Sequence, residues 1–195
     1  MKKLRILLDC DGVLSDYCSG CFDLIEQHTG DRHTHEEVTH WDVFEVLGKG
    51  HLKPRLKEEQ AKPGWCQSFP VIQGAKEFVQ CLHEIGEVVI VTSPMSTPTW
   101  ADDRRIWLDR HFGIPKGRII STEGKQYVDG DVLIDDSDDN CHKWLAEYPN
   151  KLALLWEAPY NRNVDVSRSD IVRVKNAGDV IKAINNAVTL GLKRR

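Results

Sequence analysis

Six short runs of aliphatic and β-branched residues recur along the chain: Leu4 to Leu8, Val88 to Thr92, Ile119 to Ile120, Val132 to Ile134, Leu152 to Trp156 and Ile171 to Val174. Short apolar runs of this kind suit strands buried on both faces. The stretches between them carry helical period. In Ala75 to Ile85, Phe78, Val79, Leu82 and Ile85 share one face, and Gly86 is placed to supply a left-handed cap. Trp100 to Phe112 repeats the pattern, with Gly113 as its stop, and Asp179 to Leu190 makes a last helix. Strands alternating with helices imply right-handed βαβ crossovers and a doubly wound parallel sheet, an α/β fold.

One interval breaks the rhythm. More than fifty residues separate the first run from the second, far more than one crossover helix requires. Residues 17–68 therefore read as an inserted helical cap, and 1–16 with 69–195 as the main domain. Helical patterns within the cap cover Phe22 to His28, Glu36 to Leu47 and Leu52 to Ala61.

Hydrophobic residues make up 41% of the chain and charged ones 29%, the composition of an ordinary globular protein. A formal net charge of -4 speaks against broad binding to a nucleic-acid polymer, although Lys193, Arg194 and Arg195 form a small basic end. No apolar run reaches the roughly 20 residues that span a bilayer. The six scattered cysteines suit reduced thiols and a cytoplasmic location better than a disulfide framework. Cys18 and Cys21 form a lone C-x-x-C with no second pair to complete a zinc site. His33, His35 and His40 read as loop histidines rather than a metal cluster.

Acids collect where strands end. Asp9 and Asp11 follow the first run, with Gly12 giving the chain freedom to turn, and Asp135 and Asp136 follow Val132 to Ile134. Taken singly, such acids are turn formers or helix caps, a reading that fits Asp138 and Asp139. Two acidic strand ends side by side would concentrate negative charge in one cleft, and a hard divalent cation such as Mg²⁺ relieves that repulsion. Thr92 and Ser93, ending another strand before Pro94, offer hydroxyls and backbone N–H groups to a phosphoryl group. Lys125 could neutralise its charge, or could be an ordinary surface lysine. Phe22, Trp41, Phe44 and Trp65 of the cap are candidates for stacking on an aromatic substrate, with at most two expected to touch it, since a small cap needs aromatics for its own core.

In this order D-x-D-G-V-L at Asp9 to Leu14, Thr92 or Ser93, Lys125 and Asp135-Asp136 resemble the haloacid dehalogenase superfamily over nearly the whole chain. The insertion, Trp41-Asp-Val-Phe44, Lys62-Pro-Gly-Trp65 and Val91-Thr-Ser-Pro94 are most similar to the 5'(3')-deoxyribonucleotidase family. Glu123 stands where that family's eukaryotic branch carries an arginine. The resemblance implies a Rossmann-like core and a Mg²⁺-dependent phosphatase acting on a small phosphomonoester, a nucleoside monophosphate first of all. Asp9 would be the nucleophile and Asp11 the general acid and base. Metal would be held by Asp9, the Asp11 carbonyl and Asp136, with Asp135 the second candidate, and phosphate by Thr92, Ser93 and Lys125. Assembly as a homodimer is left open. A sugar-phosphate phosphatase, with a polar cap pocket, and a non-catalytic receiver-like module are the competing readings.

Overall fold

The computed structural model describes residues 3–95, 97–167 and 169–192, so the basic end, Lys193 to Arg195, lies outside the described residues. Six strands, β1 (Leu4–Leu8), β2 (Gly86–Thr92), β3 (Ile119–Ser121), β4 (Val132–Asp135), β5 (Leu152–Trp156) and β6 (Ile171–Val174), form one sheet in the order β3-β2-β1-β4-β5-β6. Every neighbouring pair is parallel. The chain winds from β1 out to β3, then returns to the other side of β1 as β4. Open α/β sheets bind ligands at this reversal, beyond the carboxyl ends of the strands.

Successive strand residues point to opposite faces, and the two halves of the core divide accordingly. Leu4, Ile6, Leu8, Val88, Ile90, Val132, Ile134 and Leu154 pack with α4 (Ala75–Ile85), α5 (Trp100–Phe112) and α7 (Ala177–Thr189). Leu7, Val89, Val91, Leu133, Ala153 and Leu155 pack with Cys141 and Trp144 of α6 (Asp138–Glu147). Covering the sheet on both sides makes it doubly wound.

Two terminal assignments differ from the expectation. Gly86 is not a left-handed cap: its φ of -157° and ψ of -176° are extended, and α4 runs into β2 with no loop between them. It is a place of close approach, because a Cβ there would lie 2.7 Å from Ile6 Cδ1 and 2.8 Å from the Leu4 carbonyl. Gly113 does take the left-handed conformation, at φ 63°. The last helix begins at Ala177 rather than Asp179, because Asn176 is its N-cap and accepts a hydrogen bond from Asp179 N at 3.0 Å.

Between β1 and α4 lie α1 (Tyr17–Thr29), α2 (Val43–Val46), α3 (Lys53–Gln60) and three short 3-10 turns, with a separate apolar cluster of Cys21, Leu24, Ile25, Val38, Val43, Phe44 and Leu52. The helical pattern Glu36 to Leu47 is broken: a 3-10 turn covers His35–Glu37, and α2 starts only after Asp42, whose side chain caps Glu45 N. All six cysteines are free thiols. Among the described residues no helix is long and apolar enough to cross a membrane.

Candidate active site

The three middle strands, β2, β1 and β4, end side by side, and their register sets Leu8 against Ile90 and Ile134. The next residues therefore gather. Asp9 N donates to the Ile134 carbonyl at 2.9 Å, continuing the ladder by one residue and carrying the Asp9 side chain to the face where Leu7 points. Asp135 reaches the same face by the same alternation after Leu133. Gly12, at φ 77°, turns the chain sharply after Asp11; a Cβ would lie 1.9 Å from Asp136 Oδ2 and 2.5 Å from the Tyr160 hydroxyl. Conformation and space both require glycine here.

Asp9, Asp135 and Asp136 are buried, and each brings a carboxylate oxygen within 4.8 Å of the others. Lys125 is 2% exposed, not a surface lysine, and its Nζ stands 2.7 Å from Asp9 Oδ1 and 2.7 Å from Asp135 Oδ2. Burial pushes all three carboxyl groups above their ordinary range, Asp135 to about 6, and Lys125 only partly offsets this for Asp9 and Asp135. The lysine itself is raised by Asp9 and Asp135, against its own burial, and stays an ammonium. Three buried carboxylates face one cation. Hard oxygen donors with a charge deficit are the set a divalent cation of the magnesium type fits, and among the described residues no other group of ligating side chains comes together in this way.

The two adjacent acids at the end of β4, Asp135 and Asp136, differ in their commitments. Asp135 takes Lys125 Nζ on one oxygen, and Ser137 N at 2.9 Å and Asn140 Nδ2 at 3.1 Å on the other. Asp136 accepts from the Tyr160 hydroxyl on Oδ2, and its backbone carbonyl accepts from Asn161 Nδ2 at 2.9 Å. Ser137 caps α6, with Asp138 and Asp139 in the first turn, as helix electrostatics favour.

Thr92 and Ser93 complete the floor. The Thr92 hydroxyl is buried without a partner among the described residues, while Ser93 is exposed. Both border a cleft of about 410 Å³ with Asp9, Asp11, Lys125 and Asp136. A larger cleft of about 570 Å³ adjoins it, walled by Tyr17, Val71, Ile72, Trp100, Trp156 and Tyr160, in the size range of small-molecule sites. Asp11, Trp41, Ser93 and Asp136 border both. The larger space holds neither Asp9 nor Lys125, so the charged chemistry sits at the end of a mostly apolar hollow.

Of the four cap aromatics, only Trp41, 47% exposed, borders these clefts. Phe44 is 2% exposed in the separate apolar core cluster between β1 and α4. Phe22 packs on that core with its ring 5.3 Å from His35, and Trp65 packs edge-on to Phe69 at 4.6 Å. Those three border neither of the two clefts. His35 pairs with Asp16 at 2.9 Å and His33 with Glu37 at 3.3 Å, and among the described residues no group of three ligating side chains includes a histidine. Glu123 is exposed.

Three residues at the site escaped the sequence reading. Arg104 Nη2 donates to Asp11 Oδ1 at 2.7 Å from a fully buried position on α5. Its signal was present: Trp100, Arg104 and Trp107 fall at i, i+4 and i+7, which puts a cation on the apolar face of a helix. Tyr160 and Asn161, in the 3-10 turn Pro159–Asn161, reach Asp136 from beyond β5. Nothing local in the sequence marks them, since only the fold brings that turn to β4.

A family model described as 5' nucleotidase, deoxy (pyrimidine), cytosolic type C protein matches residues 2–189. A Bordetella pertussis protein provisionally named a 5'(3')-deoxyribonucleotidase is 31% identical over 171 residues, 82% of this chain and 87% of its own. The human cytosolic-type 5'(3')-deoxyribonucleotidase is 29% identical over 178 residues, 84% of each chain. Among solved structures, a haloacid dehalogenase-like hydrolase of Burkholderia xenovorans, so named provisionally, superposes with a TM-score of 0.63 at 16% identity, over 96% of this chain and 99% of its own. A Bacillus subtilis hydrolase of the same kind, provisionally named and bound to magnesium, gives 0.56 at 14% identity, over 95% and 100%.

Proposed function

This chain belongs to the cytosolic type C family of deoxy (pyrimidine) 5' nucleotidases and is a phosphoric monoester hydrolase, and from that premise we propose that it dephosphorylates nucleoside monophosphates through a phosphoryl-aspartate on Asp9. The observation that carries this reading is the pair of adjoining clefts. One is small, with Asp9, Lys125 and the unpartnered Thr92 hydroxyl; the other is larger and lined by aromatic and aliphatic side chains. The first suits a phosphoryl group and the second a flat, largely apolar leaving group. A sugar phosphate would call for a more polar hollow.

The chemistry follows from the groups present. Asp9 attacks phosphorus in line, and the bond from phosphorus to the ester oxygen breaks as Asp11 gives that oxygen a proton, releasing the alcohol. Asp11, now a carboxylate, takes a proton from water, the hydroxide attacks the phosphoryl-aspartate, and inorganic phosphate leaves Asp9 restored. Lys125 Nζ, the Thr92 hydroxyl and Ser93 donate to the equatorial oxygens; removing one preorganised donor of this kind commonly costs about 3–4 kcal/mol of transition-state stabilisation. Mg²⁺, when bound, neutralises charge between nucleophile and phosphate and orients both. Asp9, Asp136 and the Asp11 carbonyl would hold it. The full commitment of Asp135 to Lys125, Ser137 and Asn140 supports Asp136 as the direct ligand.

The experiment is phosphate release with Mg²⁺ from a panel of ribo- and deoxyribonucleoside 5'- and 3'-monophosphates and of sugar phosphates. Turnover of nucleotides well above sugar phosphates is expected. The reverse order would overturn the nucleotide reading, and release from no substrate would leave only a receiver-like module.

A further inference from the structure

Arg104 is 1% exposed, and its guanidinium carbon lies 4.6 Å from the ring centre of Trp100, 5.5 Å from that of Trp107 and 5.8 Å from that of Phe69. Its Nε and Nη1 find no hydrogen-bond partner among the described residues. Among the described residues the one hydrogen bond of this buried cation is Nη2 to Asp11 Oδ1 at 2.7 Å. A guanidinium has five N–H donors in a fixed fork and costs much to strip of water, so structural arginines normally saturate that fork. Here one prong is used and the ring stack holds the plane rigid. Asp11, in contrast, has a side chain 28% exposed and borders both clefts.

From this one-point contact we propose that Arg104 is a positioning residue that acts through Asp11: it holds Oδ1 and so presents the other oxygen, Oδ2, to the leaving group as the atom that donates the proton. The inference rests on the phosphatase reading above. As the Asp9 oxygen bonds to phosphorus and the ester bond breaks, the proton moves from Asp11 Oδ2 to the departing oxygen. The carboxylate left behind remains tethered to Nη2, oriented to accept a proton from the hydrolytic water. The ring stack on Trp100, itself a wall of the larger cleft, ties the aim of Asp11 to the space where the leaving group lies.

The test separates aim from architecture by leaving group. Alkoxide departure from a 2'-deoxyribonucleoside 5'-monophosphate needs the proton, whereas nitrophenolate departure from p-nitrophenyl phosphate does not. With Mg²⁺ present, Arg104→Met is expected to lower kcat/KM on the nucleotide by about 10- to 100-fold, short of the roughly 10²- to 10⁴-fold that general acid catalysis supplies in full because Asp11 itself remains, and on p-nitrophenyl phosphate by about 3-fold or less. Arg104→Lys, which keeps one charged donor on a shorter stem, is expected to fall between wild type and Arg104→Met. An equal loss on both substrates would assign Arg104 to the scaffold alone and overturn the proposal, as would no loss on either. Should Arg104→Met not fold, the reciprocal variants decide. Asp11→Ala strands the guanidinium while Asp11→Asn keeps an acceptor for it, so the alanine variant is expected to melt several degrees below the asparagine one. Equal Tm values would overturn the coupling. A wild-type enzyme that cleaves no phosphomonoester would instead sink the functional reading, and the Tm comparison would still stand on its own.

Discussion

Lys125 is the residue on which the buried charge of the site turns, because it alone among the described residues sets a cation between Asp9 and Asp135. Lys125→Met would leave those acids and Asp136 uncompensated, and breaking a buried pair by removing one partner typically costs about 3–5 kcal/mol. A loss of that size is expected in urea unfolding without metal, together with loss of turnover. Thr92 behaves oppositely. Its hydroxyl is buried with no partner among the described residues, so Thr92→Val removes a polar atom whose burial already costs stability. The valine variant is expected to be as stable as wild type or more so, yet to lose about 10²- to 10³-fold in kcat, the usual effect of deleting a transition-state donor. A fall in stability matching the fall in rate would mean that the hydroxyl supports the fold instead. The acids of this site were legible because each follows an apolar run, and Gly12 because a turn must come there. Lys125 was not legible as buried: nothing in Glu123-Gly-Lys-Gln126 indicates that its loop folds under the ends of β1 and β4. Arg104 was legible in principle from its place on the apolar stripe of α5, whereas Tyr160 depends wholly on tertiary proximity.

Elements were read best where period and length agreed, as in α4 and α5, and worst where short segments are held by tertiary contacts. The cap illustrates this. Glu36 to Leu47 carries enough apolar spacing to suggest one helix, but Asp42 competes as an N-cap and the His35–Glu37 turn is fastened from outside. Arg162 beyond β5 reaches Glu36 with both terminal nitrogens, and Trp41 packs on Tyr160 at 4.5 Å between ring centres. Local propensity cannot encode such fastening. Gly86 makes a sharper case, since its role belongs to the junction of two elements. With no loop between α4 and β2, β2 starts in contact with β1, and a methyl group would meet the Leu4 carbonyl and Ile6. Backbone cannot yield as a flexible side chain can. Gly86→Ala is therefore expected to cost about 1–3 kcal/mol in urea unfolding, the usual penalty of overpacking, despite the general preference for alanine over glycine. Phosphate release per folded molecule should hold, because the proposed site lies at the other end of the sheet.

For the whole molecule, the sheet order and its two covered faces place every acidic strand end at one edge, and that concentration sets how stability responds to pH and metal. Burial raises the carboxyl groups of Asp9, Asp135 and Asp136 in the folded state, Asp135 to about 6 from an ordinary 3.8. An acid whose pKa is higher folded than unfolded favours the fold in its protonated form, so its contribution is fully present below about 4 and is lost as pH rises through the folded value. Without metal, the protein is expected to become less stable on going from pH 4 to pH 6 and beyond, apart from what its other groups contribute, and the Asp135→Asn variant should show a flatter profile over that window. Mg²⁺ is expected to act with the opposite sign, because it would bind the ionised carboxylates of the folded state and not the dispersed ones of the unfolded chain. At a free concentration 100 times its Kd the ion adds about 2.7 kcal/mol, which for a chain of this size raises Tm by on the order of 5–10 °C. Differential scanning fluorimetry with and without MgCl₂ should therefore show a larger rise at pH 7.5 than at pH 5. An equal rise at both pH values would mean that the ion binds somewhere other than these three acids, and no rise at pH 7.5 would remove the case for a metal in this cleft.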